Sequence, residues 1–211
     1  MMKIYGLTGS IATGKSTVSN ILREYCNAKI IDADLLARKA VEPDSIGLEK
    51  ITEEFGPSIL LPDGTLNRKK LGDIVFGSSH AIKILNNIVH PEVAKLYNEV
   101  ADQYRTQGYE AILYDCPLLI EEKLTDTVDE VILVVSSEDA QLERLMARNN
   151  LTEDEAIKRI ESQMNIKDKI PYGDYLIYND GDYDQLKDAV IYLGREILKI
   201  GKLKVNKGDT F

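Results

Sequence analysis

The sequence predicts an α/β fold with a mainly parallel five-stranded sheet flanked by helices. Short apolar runs that are typical of buried strands recur along the chain, and stretches with helical spacing of apolar residues separate them. Strands that alternate with helices favour a parallel sheet, because a parallel pair needs a long crossover connection. Residues 45–108 contain only helical patterns, which predicts a helical insertion between two strands.

The predicted strands are short and end in polar or glycine-rich residues. They cover residues 3–8, 28–32, 110–115 and 129–135, with a short fifth strand at Leu176 and Ile177. Two helices show the clearest apolar faces, one formed by Val18, Ile21, Leu22 and Tyr25 and the other by Leu186, Ala189, Val190, Leu193 and Ile197. Residues 34–41 form a further predicted helix. We therefore expect a core of residues 1–44 and 109–200, a helical domain of residues 45–108 inserted in it, and a tail of residues 201–211.

Composition narrows the possible functions. The 211 residues carry a formal net charge of −9, which disfavours a nucleic-acid-binding protein because such proteins present a basic face. The two cysteines, Cys26 and Cys116, are too few for a disulfide framework and are expected to be buried free thiols. No apolar run approaches a membrane span and the first residues do not resemble a signal peptide, so we expect a cytoplasmic protein without a membrane partner.

The segment 8-TGSIATGKST-17 predicts a phosphate-binding loop. Its residues Gly9, Gly14, Lys15 and Ser16 occupy every fixed position of the pattern G-x-x-x-x-G-K-[ST], and the segment lies between a predicted strand and a predicted helix. Backbone N–H groups in such a loop surround phosphate oxygens at the positive end of a helix. The residues expected to bind the nucleotide are Gly9, Ala12, Thr13, Gly14, Lys15, Ser16 and Thr17.

Two further residue types at this loop point to a triphosphate and a metal. Lys15 is expected to reach the β- and γ-phosphates, and the Ser16 hydroxyl to ligate Mg²⁺. Asp115 closes a buried strand and is the candidate for a second residue on the metal side, although an aspartate at a strand end also caps turns. The implied cofactors are ATP and Mg²⁺.

The sequence contains two motifs that would indicate a GTPase, but neither lies at a position where it could bind the nucleotide. Asp44–Gly47 fits D-x-x-G but does not follow a strand, and Asn206–Asp209 fits N-K-x-D but lies in the predicted tail. The remaining hypothesis is an enzyme that transfers a phosphoryl group to a small acceptor. Asp34, at the end of the second strand, is the candidate base for the acceptor hydroxyl. Asp32 is a candidate for metal or water, and either aspartate could instead cap the following helix.

Residues 141–163 predict a lid of two helices. Arg144 and Arg148 are four residues apart and so share a helix face, and Thr152 to Glu155 forms a capping box that starts a new helix. Gln163 is expected on the same face of that helix as Arg159. The cations suit closure over a triphosphate. Because acidic residues interleave with them, a solvated helical hairpin is an equal alternative.

Several segments together resemble the dephospho-CoA kinase family. They are 6-GLTGSIATGKSTV-18, 31-IDADLLAR-38, 65-TLNRKKLGDIVF-76 with His90 and Pro91, 115-DCPLLIE-121, the Arg144 and Arg148 lid with Gln163, and 174-DYLIYNDG-181. The resemblance spans nearly the whole chain, from residue 4 to about 198. It implies a P-loop NTPase-type core with an all-helical substrate-binding domain and a helical lid.

The resemblance also implies an activity and assigns roles. The activity is ATP-dependent phosphorylation of the 3′-hydroxyl of the ribose of dephospho-CoA, by a monomer or weak homo-oligomer. Asp34 becomes the expected general base, Arg144 and Arg148 become expected contacts of ATP and the transition state, and Asn179 lies on the adenine side. The residues implied for the acceptor are Asp34, Arg38, Arg68, His90, Leu118 and Glu121. His90 precedes Pro91 at an expected helix start, so a packing or capping histidine is the alternative there.

Two other hypotheses remain open. Another small-molecule P-loop kinase, acting on a nucleotide or nucleoside, would use the same ATP loop, although Arg68 alone is thin support for an acceptor phosphate in the helical insertion. A nucleotide-binding regulatory module would need neither Asp34 nor the arginines of the lid.

Overall fold

The computed structural model describes residues 1–202 and contains a five-stranded sheet in the order β2-β3-β1-β4-β5. The strands are β1 (Lys3–Gly9), β2 (Ile30–Asp32), β3 (Ala111–Asp115), β4 (Glu130–Val135) and β5 (Tyr175–Tyr178). β1 pairs in parallel with β3 and β4, and β4 pairs in parallel with β5. The predicted parallel α/β sheet is therefore confirmed.

The central strands are apolar along most of their length because helices cover the sheet. β3 is buried at all five positions, and β4 at five of its six positions. Such continuous burial is expected for a parallel sheet with both faces covered. One core cluster joins Leu7, Leu113 and Val134 of the sheet to Leu22 and Val190 of two helices. This packing places the ends of β1, β3 and β4 beside one another.

Nine α-helices accompany the strands in residues 1–202. They are α1 (Lys15–Cys26), α2 (Ala33–Lys39), α3 (Ile46–Phe55), α4 (Arg68–Val75), α5 (Ser79–Thr106), α6 (Glu138–Asn149), α7 (Glu153–Glu161), α8 (Ile166–Lys169) and α9 (Tyr183–Tyr192). A wider π-helical turn, Leu193–Ile197, continues α9. None of the helices in the described residues is both long enough and apolar enough to cross a membrane.

The chain forms two compact units, one of residues 32–103 and the other of residues 1–31 together with those from 104 onward. The helical unit has its own core, which includes Val41, Ile51, Ile59 and Leu71. The domain boundaries proposed from the sequence stay a prediction. Of the predicted tail, Lys202 still accepts a hydrogen bond of 2.8 Å from the Glu110 backbone. Residues 203–211, with the string at 206–209, lie outside the described residues.

The prediction of a helix start at Pro91 is wrong. α5 runs for 28 residues, and Pro91 lies inside it. A proline removes one backbone donor and normally breaks a helix. Here Ile88 and Val89 before the proline and Val93 and Leu96 after it pack into the same apolar cluster, and this packing keeps the helix continuous.

Candidate active site

The loop between β1 and α1 is a closed turn held by its own side chains. The Thr13 hydroxyl donates to the Ser10 carbonyl at 2.9 Å, and the Thr13 backbone N–H donates to the same oxygen at 3.2 Å. Ala12 and Gly14 both have positive φ, at 61° and 90°. The left-handed conformation costs a residue with a side chain about 1–2 kcal/mol, so Ala12 carries local strain.

Gly9 is required by the close approach of neighbouring atoms. A Cβ at Gly9 would lie 2.7 Å from the Thr13 hydroxyl and 2.8 Å from the Val134 carbonyl oxygen. Real Cβ atoms do not approach so closely, and the Val134 oxygen belongs to the backbone of β4. The first fixed glycine of the loop therefore lets β1 turn into the loop beside β4.

The loop leads directly into α1, whose N-terminus suits an anion. Gly14 is the N-cap, and α1, all of whose residues are described, has no acidic residue in its first turn. The unpaired N–H groups of a helix start make it positive. Thr17 and Val18 already donate to the Gly14 carbonyl, so the helix forms from the loop without a break.

Lys15 is paired with Asp115. The Lys15 ammonium contacts the Asp115 carboxylate, and the two side chains are 16% and 10% exposed. Asp115 ends β3 opposite Leu7 of β1, which explains why residues 100 positions apart meet. The structure thus brings the predicted phosphate-binding lysine and the predicted metal-side carboxylate into direct contact.

No preformed metal cage accompanies this pair. Within residues 1–202, no three His, Cys, Asp or Glu side chains are grouped so that they could hold a metal ion. Mg²⁺ at a phosphate site commonly takes one or two protein oxygens and completes its shell with water and phosphate. A serine in the first turn of α1 and a carboxylate beside Lys15 are a donor set of that kind.

The predicted lid consists of α6 and α7. Thr152 caps α7, and the box with Glu155 is complete, as expected from the sequence. Two hydrogen bonds lower the pKa of Glu155. The larger effect comes from the Thr152 backbone N–H and the smaller one from the Thr152 hydroxyl. Gln163 lies beyond the end of α7 rather than on it, which corrects the prediction that it shares a helix face with Arg159.

The two lid arginines have different surroundings. Arg144 donates from Nη2 to the Asn179 carbonyl at 2.8 Å, whereas Arg148 donates from Nε to Asn149 at the exposed end of α6. The Asn179 side chain in turn donates to the Thr13 carbonyl of the phosphate loop at 2.8 Å. The structure therefore connects Arg144, but not Arg148, to the phosphate loop.

Gln163 makes a second connection between lid and loop. Its Oε1 accepts a hydrogen bond of 2.8 Å from the Ile11 N–H. Beside this contact lies a cavity of about 470 Å³. Its lining is partly apolar and partly polar, and it includes Leu142, Ile157, Ile160, Met164, Ser10, Gln141, Asn165 and the acidic residues Glu138, Asp139 and Glu161. The three acidic side chains of this lining would repel a polyphosphate, so the Lys15 side of the loop is the better place for one.

The loop after β3 contains two residues predicted for the acceptor. Leu118 is 39% exposed. Glu121 instead pairs with Lys169 of α8, its Oε1 lying 2.6 Å from a lysine side chain that is 0% exposed. Sequence reasoning missed Lys169, because nothing in 166-IKDK-169 distinguishes it from the exposed Lys167.

The remaining predicted residues belong to the helical unit. Asp32 caps α2 by accepting from the Leu35 N–H at 3.0 Å, which is the alternative proposed for it from the sequence. Asp34 follows in the first turn of α2, and Arg38 lies one turn later on the same face. Two more of these residues have defined places, Arg68 as the first residue of α4 and His90 within α5.

The structure combines a parallel sheet, a phosphate loop after the central strand, a lysine in that loop and a lid that carries arginines. Together these features define the class of P-loop kinases. The comparisons with known proteins agree. The family model for dephospho-CoA kinase matches residues 3–185. The chain therefore belongs to the dephospho-CoA kinase family.

Individual relatives extend over most of the chain. A dephospho-CoA kinase of Listeria monocytogenes is 42% identical over 199 residues, covering 94% of this chain and 99% of the relative. One of Bacillus cereus is 46% identical over 181 residues, covering 86% and 90%. The solved structure of a dephospho-CoA kinase from Campylobacter jejuni is 30% identical, with a TM-score of 0.66 over 94% of this chain and 98% of that one.

Proposed function

We propose that the protein transfers the γ-phosphoryl group of ATP to the 3′-hydroxyl of the ribose of dephospho-CoA. The products are CoA and ADP, and the reaction is the last step of CoA biosynthesis. The observation that carries this proposal is the family match over residues 3–185, in a chain whose phosphate loop has its lysine in place. Relatives named dephospho-CoA kinase that align along almost their full length support the same acceptor.

The donor side of the proposed mechanism depends on residues of one compact unit. Lys15 exchanges its contact with Asp115 for the β- and γ-phosphates, and the loop N–H groups of residues 12–17 bind the remaining oxygens. Arg144 neutralises charge that develops as the bond between the γ-phosphorus and the bridging oxygen breaks. Arg148, at the exposed end of α6, is proposed to join it when the lid closes.

Ser16 and Asp115 are the residues that would hold Mg²⁺. Their hydroxyl and carboxylate oxygens are the donor types that this ion prefers. When bound, Mg²⁺ neutralises the phosphate charge. Asp115 also contacts the Lys15 ammonium and so holds it at the phosphate loop.

The acceptor side is assigned to residues of the helical unit and of the loop after β3. Asp34 is proposed to take the proton of the 3′-hydroxyl as the hydroxyl oxygen forms its bond to the γ-phosphorus. Arg38, Arg68, His90 and Leu118 are proposed to bind the acceptor. Glu121 is proposed to act through its pair with Lys169, which fixes the loop that carries Leu118.

The experiment that tests this function measures ADP release from ATP and Mg²⁺. Dephospho-CoA, nucleoside monophosphates and no acceptor are compared at equal concentrations. Release stimulated by dephospho-CoA alone is the expected result. Equal release with all additions, or stimulation by a monophosphate only, would contradict the proposed acceptor.

Two variants test the proposed base. Asp34→Asn should lower kcat by roughly 10²- to 10⁴-fold, the usual contribution of a general base, while ATP still binds. Asp32→Asn retains a good helix cap, because asparagine caps as well as aspartate. Normal turnover in Asp34→Asn would leave Asp34 without a catalytic role, and a large loss in Asp32→Asn would return Asp32 to the metal or water hypothesis.

We further propose that the enzyme works in the cytoplasm as a monomer or weak homo-oligomer and binds no nucleic acid. The net charge of −9 supports the last point, because a polyanion would be repelled. Light scattering during size-exclusion chromatography measures the mass, for which 23.7 kDa is the monomer value. A gel-shift assay at low salt should show no complex with duplex DNA.

A further inference from the structure

Asn179 occupies a buried position where three functional elements meet. It follows the last residue of β5 and is 8% exposed. Its backbone N–H donates to the Val135 carbonyl at 2.8 Å, which extends the pairing of β5 with β4 by one residue. The backbone of Asn179 is thus fixed by the sheet and not by a flexible loop.

The side-chain amide of Asn179 is bonded to the phosphate loop itself. Nδ2 donates to the Thr13 carbonyl at 2.8 Å, and both groups are buried. A Cβ at Gly14 would lie 2.0 Å from this nitrogen. The second fixed glycine of the loop is therefore needed for two reasons, its φ of 90° and the room that the Asn179 amide occupies.

This hydrogen bond sets the orientation of one peptide plane. Residues 1–202 contain no cis peptide bond. In a trans peptide the N–H points away from the C=O. With the Thr13 carbonyl directed at Asn179, the Gly14 N–H must point to the opposite side. That N–H belongs to the set of amides that a phosphate loop offers to its ligand.

The backbone carbonyl of Asn179 holds the lid arginine. Arg144 donates to it from Nη2 at 2.8 Å, and Arg144 Nη1 is buried without a hydrogen-bond partner in the described residues. A buried guanidinium N–H without a partner is costly and is available for an anionic ligand. Asp180 adds a third contact, since its carboxylate accepts a 2.8 Å bond from the Ser137 N–H at the start of α6.

We propose that Asn179 is a positioning residue that orients the Thr13–Gly14 peptide and Arg144 for the triphosphate, and that its side chain does not read the base. This inference rests on the proposed function and goes beyond it, because it assigns the Asn179 side chain to polyphosphate binding. It differs from the expectation of an adenine contact. The two roles predict different dependence on the ligand: a loop support affects every polyphosphate, whereas a base contact affects ATP alone.

The test compares ATP with inorganic tripolyphosphate, both with Mg²⁺, by isothermal titration calorimetry. Asn179→Ala removes the amide, and Asn179→Asp keeps the size but replaces the donor by a carboxylate facing the Thr13 carbonyl. Tyr178→Ala, at the exposed neighbouring residue, is the matched control. We expect both Asn179 variants to weaken both ligands by the same factor, about 5- to 100-fold, which corresponds to one buried hydrogen bond. The control should bind both ligands normally.

Two results would overturn the inference. The first is a loss confined to ATP, and the second is normal affinity for both ligands. If the wild-type protein itself bound ATP but lacked dephospho-CoA-dependent turnover, the proposed function would fail while this inference could still be judged.

A measurement on the wild-type protein avoids dependence on how well the variants fold. The NMR signals of the Asn179 side-chain NH₂ should be protected from exchange before any ligand is added. They should shift by similar amounts with tripolyphosphate and with ATP. Rapid exchange in the free protein, or a shift with ATP alone, would contradict the bond to Thr13.

Discussion

Replacing Lys169 by methionine is expected to destabilise the protein strongly. The Lys169 side chain is 0% exposed, and both carboxylate oxygens of Glu121 are buried. Neither group has another hydrogen-bond partner in the described residues, and the 2.6 Å contact is a close ion pair rather than an aligned hydrogen bond. Removal of the lysine leaves the Glu121 charge buried alone, which costs about 3–5 kcal/mol.

The magnitude can be checked by thermal and urea unfolding. For a chain of this size, 1 kcal/mol corresponds to a change in Tm of roughly 2–4 °C, so Lys169→Met should lower Tm by about 6–20 °C. Lys167→Met, at an exposed position of the same helix, should change Tm little. The double variant Glu121→Leu with Lys169→Met should recover most of the loss, because an apolar pair replaces the ion pair.

The reasoning would be refuted by either of two results. Lys169→Met could prove no more destabilising than Lys167→Met, in which case the buried charge is solvated in solution. The double variant could also be as unstable as the sum of its single variants, which would show that Glu121 and Lys169 are not coupled.

Three other predictions concern Gly9, Lys15 and Glu130. Gly9→Ala should lower Tm and ATP affinity together, because its Cβ would lie 2.8 Å from the Val134 oxygen; unchanged Tm would refute this. Lys15→Ala should reduce kcat/KM by roughly 10²- to 10³-fold in the ADP-release assay, the effect of one lost transition-state donor. Glu130→Gln should reduce the dependence of Tm on pH at acid pH. The hydrogen bond from Lys3 lowers the pKa of Glu130. The ionised carboxylate therefore stabilises the fold above the ordinary glutamate pKa, and this stabilisation is lost as the pH falls below about 4.5. Equal slopes of Tm against pH in that range for Glu130→Gln and wild type would contradict it.

The phosphate loop could be predicted from the sequence because its function resides in the backbone. Fixed glycines, a lysine and a serine at set intervals are visible without any knowledge of the fold. The parallel strands could also be predicted from local sequence, because continuous apolar runs such as 131-VILVV-135 have few structural interpretations other than a buried strand. The start of α7 was equally predictable, because the capping box at Thr152 is local.

The supports of the loop could not be predicted, because they depend on which strand ends meet. Nothing near Asn179 shows that its amide will bond to Thr13, and nothing near Gln163 indicates Ile11. The prediction of a helix start at Pro91 failed although its signal was local. A strong local rule was overridden by packing of apolar residues on both sides of it.

The distance along the chain between the loop and its supports has a consequence for synthesis. Ile11 is held by a residue 152 positions later, and Thr13 by one 166 positions later. A nascent chain that ends before β5 carries the whole loop sequence but lacks Asn179, and one that ends before residue 163 lacks Gln163 as well. We therefore expect the growing polypeptide to gain ATP binding only after β5 and Asn179 have been synthesised, so that shorter nascent chains neither sequester nor consume the nucleotide.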